Sequence, residues 1–189
     1  MESMDAITAL LTRRAPPRLI DPAPREDELE LVYKAALRAP DHAMLRPWRF
    51  LSISGEARTR LGELFVDALQ PETAEQKDKL LSAPLRAPLI IIAVARITEN
   101  PKVPAVEQIC SAAAAVQNMS LAIHALGYAS IWRTGPVAFH AGVKKGLGLA
   151  ATDEIVGLLY IGTPTVQERQ VPEINVKDFF ETWESAENL

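Results

Sequence analysis

Three short segments of this 189-residue sequence concentrate side chains that bind anions or planar rings. The first reads Thr12-Arg13-Arg14-Ala15 and ends an amphipathic stretch, just before a proline-rich segment. Two adjacent guanidinium groups present forked donors that suit bidentate contacts with a phosphate. The alternative is an ordinary basic helix C-terminus, which the helix dipole favours. The arginine pair alone leaves both interpretations open.

The second segment runs from residue 38 to residue 50 and is dense in hydrogen-bonding and stacking groups. It holds Arg38, His42, Trp48 and Phe50, together with two prolines and two further arginines. Loops of this composition often carry binding residues, whereas a stiff connector is the plain structural alternative. We expect Trp48 and Phe50 to fill the core. For Arg38 and His42, both interpretations stay open.

The third segment reads Gly-Tyr-Ala-Ser-Ile-Trp-Arg-Thr-Gly over residues 127–135, where two glycines bracket a predicted strand. The end of that strand carries Trp132, Arg133 and Thr134. An arginine and a threonine there would reach a ring carbonyl or a phosphate, and a tryptophan would cover a planar ring. The segment therefore predicts a contact with an anionic, aromatic ligand.

The three segments occur in an order and spacing that resemble a known family. The pattern is Arg-Arg near the N-terminus, Pro-x(7)-Trp-x-Phe over residues 40–50, Gly-Tyr-Ala-Ser-Ile-Trp, and Val-Gly-Leu-Leu-Tyr-Ile-Gly-Thr-Pro over residues 156–164. It resembles the nitroreductase family of FMN-dependent enzymes, and in particular its short, single-domain bacterial branch. The resemblance covers nearly the whole sequence, although no single motif is specific.

The resemblance implies a homodimer with two tightly bound FMN molecules, each held by residues of both chains. The N-terminal basic residues would grip the phosphate and ribityl chain, and the 127–135 segment would border the ring. Arg38 and His42 would reach the FMN of the other subunit. The implied cofactor-binding residues are Arg13, Arg14, Ala15, Arg38, His42, Ala122, Gly127, Trp132, Arg133 and Thr134.

The sequence also departs from the family pattern at positions that would touch the cofactor. Relatives often carry serine where this chain has Ala15, and that serine hydroxyl would donate to the phosphate. Asp41, Met44 and Arg46 replace the serine, asparagine and glutamine of the usual loop. The resemblance therefore predicts weaker FMN contacts at the phosphate and at the pyrimidine edge.

The activity implied by the resemblance is hydride transfer from NAD(P)H to small organic acceptors of the nitroaromatic or quinone type. The chemistry would belong to the cofactor, so no residue of the chain is predicted to be catalytic. Two alternatives remain: a flavin-binding carrier or sensor without turnover, and a repurposed, flavin-modifying relative. The sequence leaves open the physiological acceptor and the choice between NADH and NADPH.

Hydrophobic periodicity predicts an α/β (α+β) fold in one domain spanning residues 1–189. We expect a central mixed sheet of about four short strands flanked by helices, with a long helix over residues 106–126. That helix is rich in small residues, which indicates a buried core helix, a dimer-interface helix, or both. The resemblance implies that an apolar tail over about residues 174–189 packs on the partner subunit. The predicted helices cover 4–13, 27–37, 56–69, 73–81, 106–126 and 139–147, and the predicted strands 49–54, 89–95, 129–133 and 155–161.

Composition restricts the partners and the compartment. A net charge of −4 without long like-charge runs argues against nucleic acid, and no apolar run is long enough for a membrane span. The sequence has one cysteine, Cys110, and therefore cannot form an intrachain disulfide. We expect a reducing compartment, the cytoplasm. No histidine has carboxylates at metal-ligand spacing. We expect Cys110 to be buried, His124 to be satisfied in the core or an interface, and the acidic run 26–28 to be solvated.

Overall fold

The computed structural model describes residues 4–165 and 171–183. Its centre is a five-stranded sheet in which the long strand β5 pairs with β1, β3 and β4, and β2 pairs with β3. The strands are β1 Leu19–Ile20, β2 Trp48–Ser54, β3 Leu89–Ala95, β4 Ala129–Arg133 and β5 Glu154–Pro164. The α/β class is confirmed. The four predicted strands are confirmed, and the two-residue β1 adds a fifth, whereas the expected mixed pairing is wrong because all described pairings are antiparallel.

Strand β3 lies inside the sheet and is covered on both faces. All seven residues of its sequence Leu-Ile-Ile-Ile-Ala-Val-Ala are buried. Side chains alternate across a strand, so Ile90, Ile92 and Val94 join one hydrophobic cluster while Leu89 and Ile91 join the other. A continuous apolar run predicts this double burial, and the structure confirms it.

Helices cover the two faces of the sheet. One face packs against α3, α6 and α7, and the other against α2 and α5. The helices are α1 Ala6–Thr12, α2 Glu26–Ala36, α3 Ala57–Leu69, α4 Ala74–Ser82, α5 Ala105–Ala125, α6 Pro136–Phe139 and α7 Ala141–Gly146. The predicted helix over 139–147 corresponds to α7, and the four-residue α6 before it was not predicted; His140 separates the two, and its Nδ1 accepts the Gly142 N–H in the first turn of α7.

Helix α5 is the longest helix and carries the second hydrophobic cluster. Its residues Ala115, Val116, Met119 and Ile123 are fully buried against the sheet. The small alanine lets the helix approach the strands closely. Gly127 has a φ of 86° and lies in the turn that connects the end of α5 to β4. The prediction of a buried helix over 106–126 is confirmed.

Two sequence predictions about burial are wrong. Cys110 lies on an exposed part of α5, because the helix turns it away from the face that packs on the sheet. Glu28 is 4% exposed although it belongs to the acidic start of α2. It is buried because a tyrosine and an arginine contact its carboxylate, as described below.

Over residues 171–183, the C-terminal tail has a short 3-10 turn at Val176–Asp178 as its regular structure. Phe179, Phe180 and Trp183 are exposed, and residues 184–189 of the predicted packing segment lie outside the described residues. Within the part of the chain that the structure describes, no helix combines the length and apolarity needed to cross a bilayer.

Strand β5 contains a glycine that the neighbouring strand requires. The indole of Trp132, on β4, lies over Gly157 and donates from Nε1 to the Val156 carbonyl at 3.2 Å. A Cβ on residue 157 would overlap the indole ring and lie 2.9 Å from the Arg133 carbonyl oxygen. Gly157 therefore allows Trp132 to lie flat across the sheet.

We expect Gly157→Ala to lower the free energy of unfolding by about 1–3 kcal/mol, because the added methyl group displaces the indole. Denaturant-induced unfolding measures the loss. The matched comparison is the same substitution in a Trp132→Ala background, where the loss should be less than half as large. An equal loss in both backgrounds would show that the indole is not the cause.

Candidate active site

The segment that carries the arginine pair is fixed at the end of α1. The Thr12 hydroxyl donates to the Thr8 carbonyl at 2.6 Å and lies 2.8 Å from His124 Nε2. A hydroxyl has one proton, so the imidazole must donate at Nε2 and the threonine oxygen accepts. This bond satisfies His124, as predicted, and holds the half-buried Arg13 and Arg14 beside the C-terminal half of α5.

Two further contacts hold the segment that follows α5, one to α5 itself and one to α2. The buried hydroxyls of Ser120, on α5, and Ser130, on β4, lie 2.9 Å apart. Beside Gly127, the Tyr128 hydroxyl donates to Glu28 Oε2 at 2.8 Å, and Arg25 Nη2 lies 3.2 Å from Glu28 Oε1. The turn between α5 and β4 is therefore tied to the start of α2.

The far end of β4 presents the three residues predicted to meet a ring or a phosphate. Arg133 Nη2 donates to the Pro17 carbonyl at 3.2 Å, which draws β4 against the segment after the arginine pair. The Arg133 guanidinium carbon lies 5.9 Å from the centre of the Tyr160 ring. Trp132 is 39% exposed, and Thr134 is exposed.

Arg133 has an unused donor. Its Nε is buried and has no hydrogen-bond partner among the described residues. An unsatisfied buried donor on a charged group costs more than an ordinary lost hydrogen bond. A ligand oxygen at this position would remove that cost. The surroundings are cationic and aromatic, which suits a planar, anionic ligand.

Burial and charge act in opposite directions on Tyr160. Burial raises the pKa of its phenol above the ordinary value, while the nearby Arg133 and Arg86 oppose that rise. The phenol therefore stays neutral near pH 7 and provides an aromatic surface for the Arg133 guanidinium. Tyr160 does not supply an anion to compete with a ligand for Arg133.

Arg38 and His42 lie elsewhere, around the connection between α2 and β2. Arg38 is exposed just beyond the end of α2. His42 Nδ1 lies 2.7 Å from Glu107 Oε2, in the first turn of α5. Glu107 and His124 are 17 positions apart on one helix, which separates them by about 25 Å along its axis. Within one chain, His42 is therefore remote from the arginine pair.

The structure thus sorts the predicted site residues into two groups. Contacts of α1, α5 and β4 bring the larger group to one region, with Gly127 and Thr134 at opposite ends of the five-residue β4, about 16 Å long. Arg38 and His42 form the second group near the start of α5. The larger group comprises Arg13, Arg14, Ala15, Ala122, Gly127, Trp132, Arg133 and Thr134.

Several residues that organise this region carry no motif in the sequence. Thr12 and Ser130 provide contacts that a single-sequence pattern does not specify, and the role of Glu28 is hidden in an acidic run. The one available signal is that the polar residues Ser120 and His124 lie in the C-terminal half of the buried, small-residue helix α5. Across residues 4–165 and 171–183, no three His, Cys, Asp or Glu side chains are grouped so that they would hold a metal ion.

Comparison with known proteins now identifies the family. The model of the nitroreductase family matches residues 13–163. The chain belongs to the nitroreductase family. It is an oxidoreductase.

Relatives of this nitroreductase-family chain match it along nearly its whole length. It is 42% identical over 177 residues to the Escherichia coli (strain K12) protein named "Putative NAD(P)H nitroreductase YdjA", covering 93% of this chain and 96% of that protein. The fold is similar to that of a nitroreductase-like family protein from Bacillus cereus, with a TM-score of 0.83, 23% identity and coverage of 98% and 99%. An FMN-dependent nitroreductase from Clostridium difficile R20291 gives a TM-score of 0.68, 21% identity and coverage of 94% and 99%.

The contact between Tyr128 and Glu28 makes the stability of this nitroreductase-family fold sensitive to alkaline pH. The hydrogen bond to Glu28, then burial, then the charge of Glu28 raise the pKa of Tyr128 above its ordinary value of 10.0. The folded chain thus holds the phenolic proton more tightly than the unfolded chain. The stabilising contribution is complete below about pH 10 and is lost as the pH rises through the raised pKa.

We expect Glu28→Gln to lower the pKa of Tyr128 toward 10 and to weaken the decline of stability above pH 10. The ultraviolet absorbance of the phenolate measures the pKa, and Tyr128→Phe identifies which transition belongs to this residue. Denaturation at a series of alkaline pH values measures the stability. An unchanged titration in Glu28→Gln would exclude Glu28 as the cause.

Proposed function

We propose that the protein binds FMN as a homodimer and transfers hydride from NAD(P)H to small organic acceptors of the nitroaromatic or quinone type. The observation that carries this proposal is the buried Arg133 Nε, which lacks a hydrogen-bond partner among the described residues and belongs to a guanidinium whose carbon lies 5.9 Å from the centre of the Tyr160 ring. Family membership supports it, as do a relative named for NAD(P)H and a structural neighbour named as FMN-dependent.

The residues at this site fit the chemistry of FMN. A flavin mononucleotide combines a doubly charged phosphate, a polar ribityl chain and a planar ring with acceptor carbonyls. Arg13 and Arg14 would supply donors to the phosphate, with Ala15 contributing its backbone N–H. Arg133 has a donor free for an oxygen of the cofactor, and Trp132 provides an apolar wall. Substitution of each arginine would test whether it contacts the phosphate or the ring.

The protein's contribution to the reaction is to bind and orient. FMN, when bound, supplies the hydride chemistry, accepting from a reduced nicotinamide and donating to the acceptor. The Arg133 guanidinium would stabilise negative charge that develops nearby, because a preorganised cation in a partly dry site needs little reorganisation. Gly127 keeps the turn between α5 and β4 free of a side chain, and Ala122 leaves space along α5.

A homodimer would bring the two groups of site residues to one FMN, with one group supplied by each subunit. Arg38 and His42 lie far from Arg13 and Arg133 within one chain, so a second copy is needed if both groups hold one FMN. Exposed apolar side chains support such an interface. They lie on α1, α2, α5 and the tail and comprise Ile7, Leu10, Leu11, Leu31, Leu37, Val106, Phe179, Phe180 and Trp183. Contiguous exposed apolar surface is a common mark of an interface.

The tail from about residue 174 would pack on the partner subunit and cover part of this surface. A cytoplasmic location is part of the same proposal, supported by a single cysteine and by the availability of reduced nicotinamide cofactors there. The acceptor and the preference for NADH or NADPH remain to be measured.

The decisive experiment is a visible absorption spectrum of the purified protein, followed by anaerobic addition of NADH and, separately, NADPH. A flavin band that bleaches would establish the cofactor and its reduction. A flavin band that persists with both would support a carrier or sensor instead. A colourless protein that fails to take up added FMN would contradict the proposal, and oxygen-dependent loss of FMN would indicate a flavin-modifying relative.

We expect Arg13→Ala and Arg133→Ala each to weaken FMN binding by about ten- to a hundredfold, or roughly 1.5–3 kcal/mol, because each removes a charge-assisted contact. Fluorescence titration measures the affinity, and sedimentation should show that the dimer persists. The control is Arg60→Ala, which removes an exposed arginine on α3 that lies 3.7 Å from Glu56. Wild-type affinity in either site variant would remove that side chain from the site.

A further inference from the structure

We propose that Glu107 is a positioning residue that orients His42 toward the FMN of a second copy of the chain. The inference rests on the proposed function, in which His42 serves the site of the partner. It adds a residue that neither the motifs nor the family resemblance indicates. Glu107 lies in the first turn of α5 and would act through the imidazole, without touching the cofactor itself.

The contact between the two side chains fixes which ring nitrogen faces outward. His42 Nδ1 lies 2.7 Å from Glu107 Oε2, and a carboxylate oxygen accepts, so Nδ1 carries a proton. Nε2 points away from the carboxylate, and no described residue hydrogen bonds to it. The side chains of His42 and Glu107 are 55% and 47% exposed. A second copy therefore meets an imidazole that is already oriented and has Nε2 available.

Glu107 belongs to a row of α5 side chains that hold the connection between α2 and β2. The Ser111 hydroxyl donates to the Pro40 carbonyl at 2.6 Å, and Asn118 Nδ2 donates to the Ala35 carbonyl at 3.1 Å. At 100° per residue, positions 107, 111 and 118 fall within about 40° on the helix surface. One face of α5 thus contacts the last turn of α2 at one point and the connection after it at two, and of the three α5 residues only Glu107 contacts a predicted cofactor-binding side chain.

The backbone around His42 is strained and needs such support. Ala43, Met44 and Arg46 have φ of 61°, 53° and 50°, in the left-handed region that disfavours residues other than glycine. The Asp41 carboxylate accepts the Arg46 N–H at 2.8 Å and helps to close this loop. Strained conformations persist where surrounding contacts determine them, and they are concentrated at functional sites.

An imidazole that is oriented before the ligand binds favours higher affinity. A free imidazole side chain loses rotamer freedom when it contacts a ligand, and that loss reduces affinity. The carboxylate contact imposes the orientation in the folded chain beforehand. Once a second copy covers this surface, the reduced access of water strengthens the contact between imidazole and carboxylate. Glu107 should therefore affect FMN affinity only while His42 is present.

A double-mutant cycle tests this dependence. FMN dissociation constants are measured for the full-length protein and for His42→Ala, Glu107→Ala and the double variant. We expect Glu107→Ala to weaken FMN binding by about threefold to tenfold in the wild-type background. We expect no further weakening when it is added to His42→Ala. Sedimentation and apoprotein melting temperatures show whether dimerisation or folding has changed.

Additional variants separate orientation from general support of the loop. Glu107→Gln retains a hydrogen-bond acceptor and should recover most of the affinity lost in Glu107→Ala; it also serves if the alanine variant fails to fold. Ser111→Ala removes a neighbouring tether and should weaken binding equally with or without His42. The charge-matched control is Glu75→Gln, which removes an exposed carboxylate paired with Lys79 on α4 and should leave FMN affinity unchanged.

The outcomes distinguish this inference from the proposed function. Additive losses from His42→Ala and Glu107→Ala, in a protein that binds FMN, would overturn the positioning role alone. A wild-type protein that binds no FMN would overturn the proposed function and this inference with it. Non-additive losses, in which Glu107→Ala has no further effect once His42 is replaced by alanine, together with recovery in Glu107→Gln, would establish that Glu107 acts through His42.

Discussion

The packing of α5 against the sheet is the constraint on which the other features depend. Val116, Met119 and Ile123 are fully buried and anchor the helix over β3 and β5. This packing fixes the direction in which the other faces of α5 point. The polar side chains on those faces therefore lie next to the segments that they contact. His124 meets α1, Ser120 meets β4, and other polar residues hold the connection that follows α2. One apolar interface thus positions three distant segments of the chain, including those that carry Arg13, Arg133 and His42.

The length of α5 also explains why the proposed FMN site would require two copies of the chain. A helix of 21 residues places its two ends about 30 Å apart, and the predicted site residues lie around both ends. A small ligand cannot bridge that distance within one chain. Two copies related by a twofold axis would bring the start of one α5 near the end of the other. The exposed apolar side chains of α1 and α2 would find their partners in the same arrangement.

Much of the fold follows from local patterns, because burial imposes them on the sequence. The apolar run of β3 and the small residues of α5 predict elements that the structure confirms. Strand pairing depends on contacts between residues far apart in sequence, so the antiparallel order and the two-residue β1 could not be read from periodicity. The same limit applies to the exposure of Cys110, which depends on which face of α5 packs on the sheet, and to the burial of Glu28, which depends on a tyrosine 100 residues away. The segments of the candidate site were recognisable from their motifs, whereas the contacts that hold them were not.

The distances in sequence between the contacts of the N-terminal segment have a consequence for folding during synthesis. Thr12 and His124 are separated by 112 positions, Pro17 and Arg133 by 116, and Pro22 and Thr163 by 141. The segment is therefore translated more than 100 residues before each of these partners. Forming such long-range contacts requires the closure of large loops, which slows folding. The N-terminal segment therefore docks only after these partners have been translated, and nascent chains that stall before α5 would expose an arginine-rich segment without them.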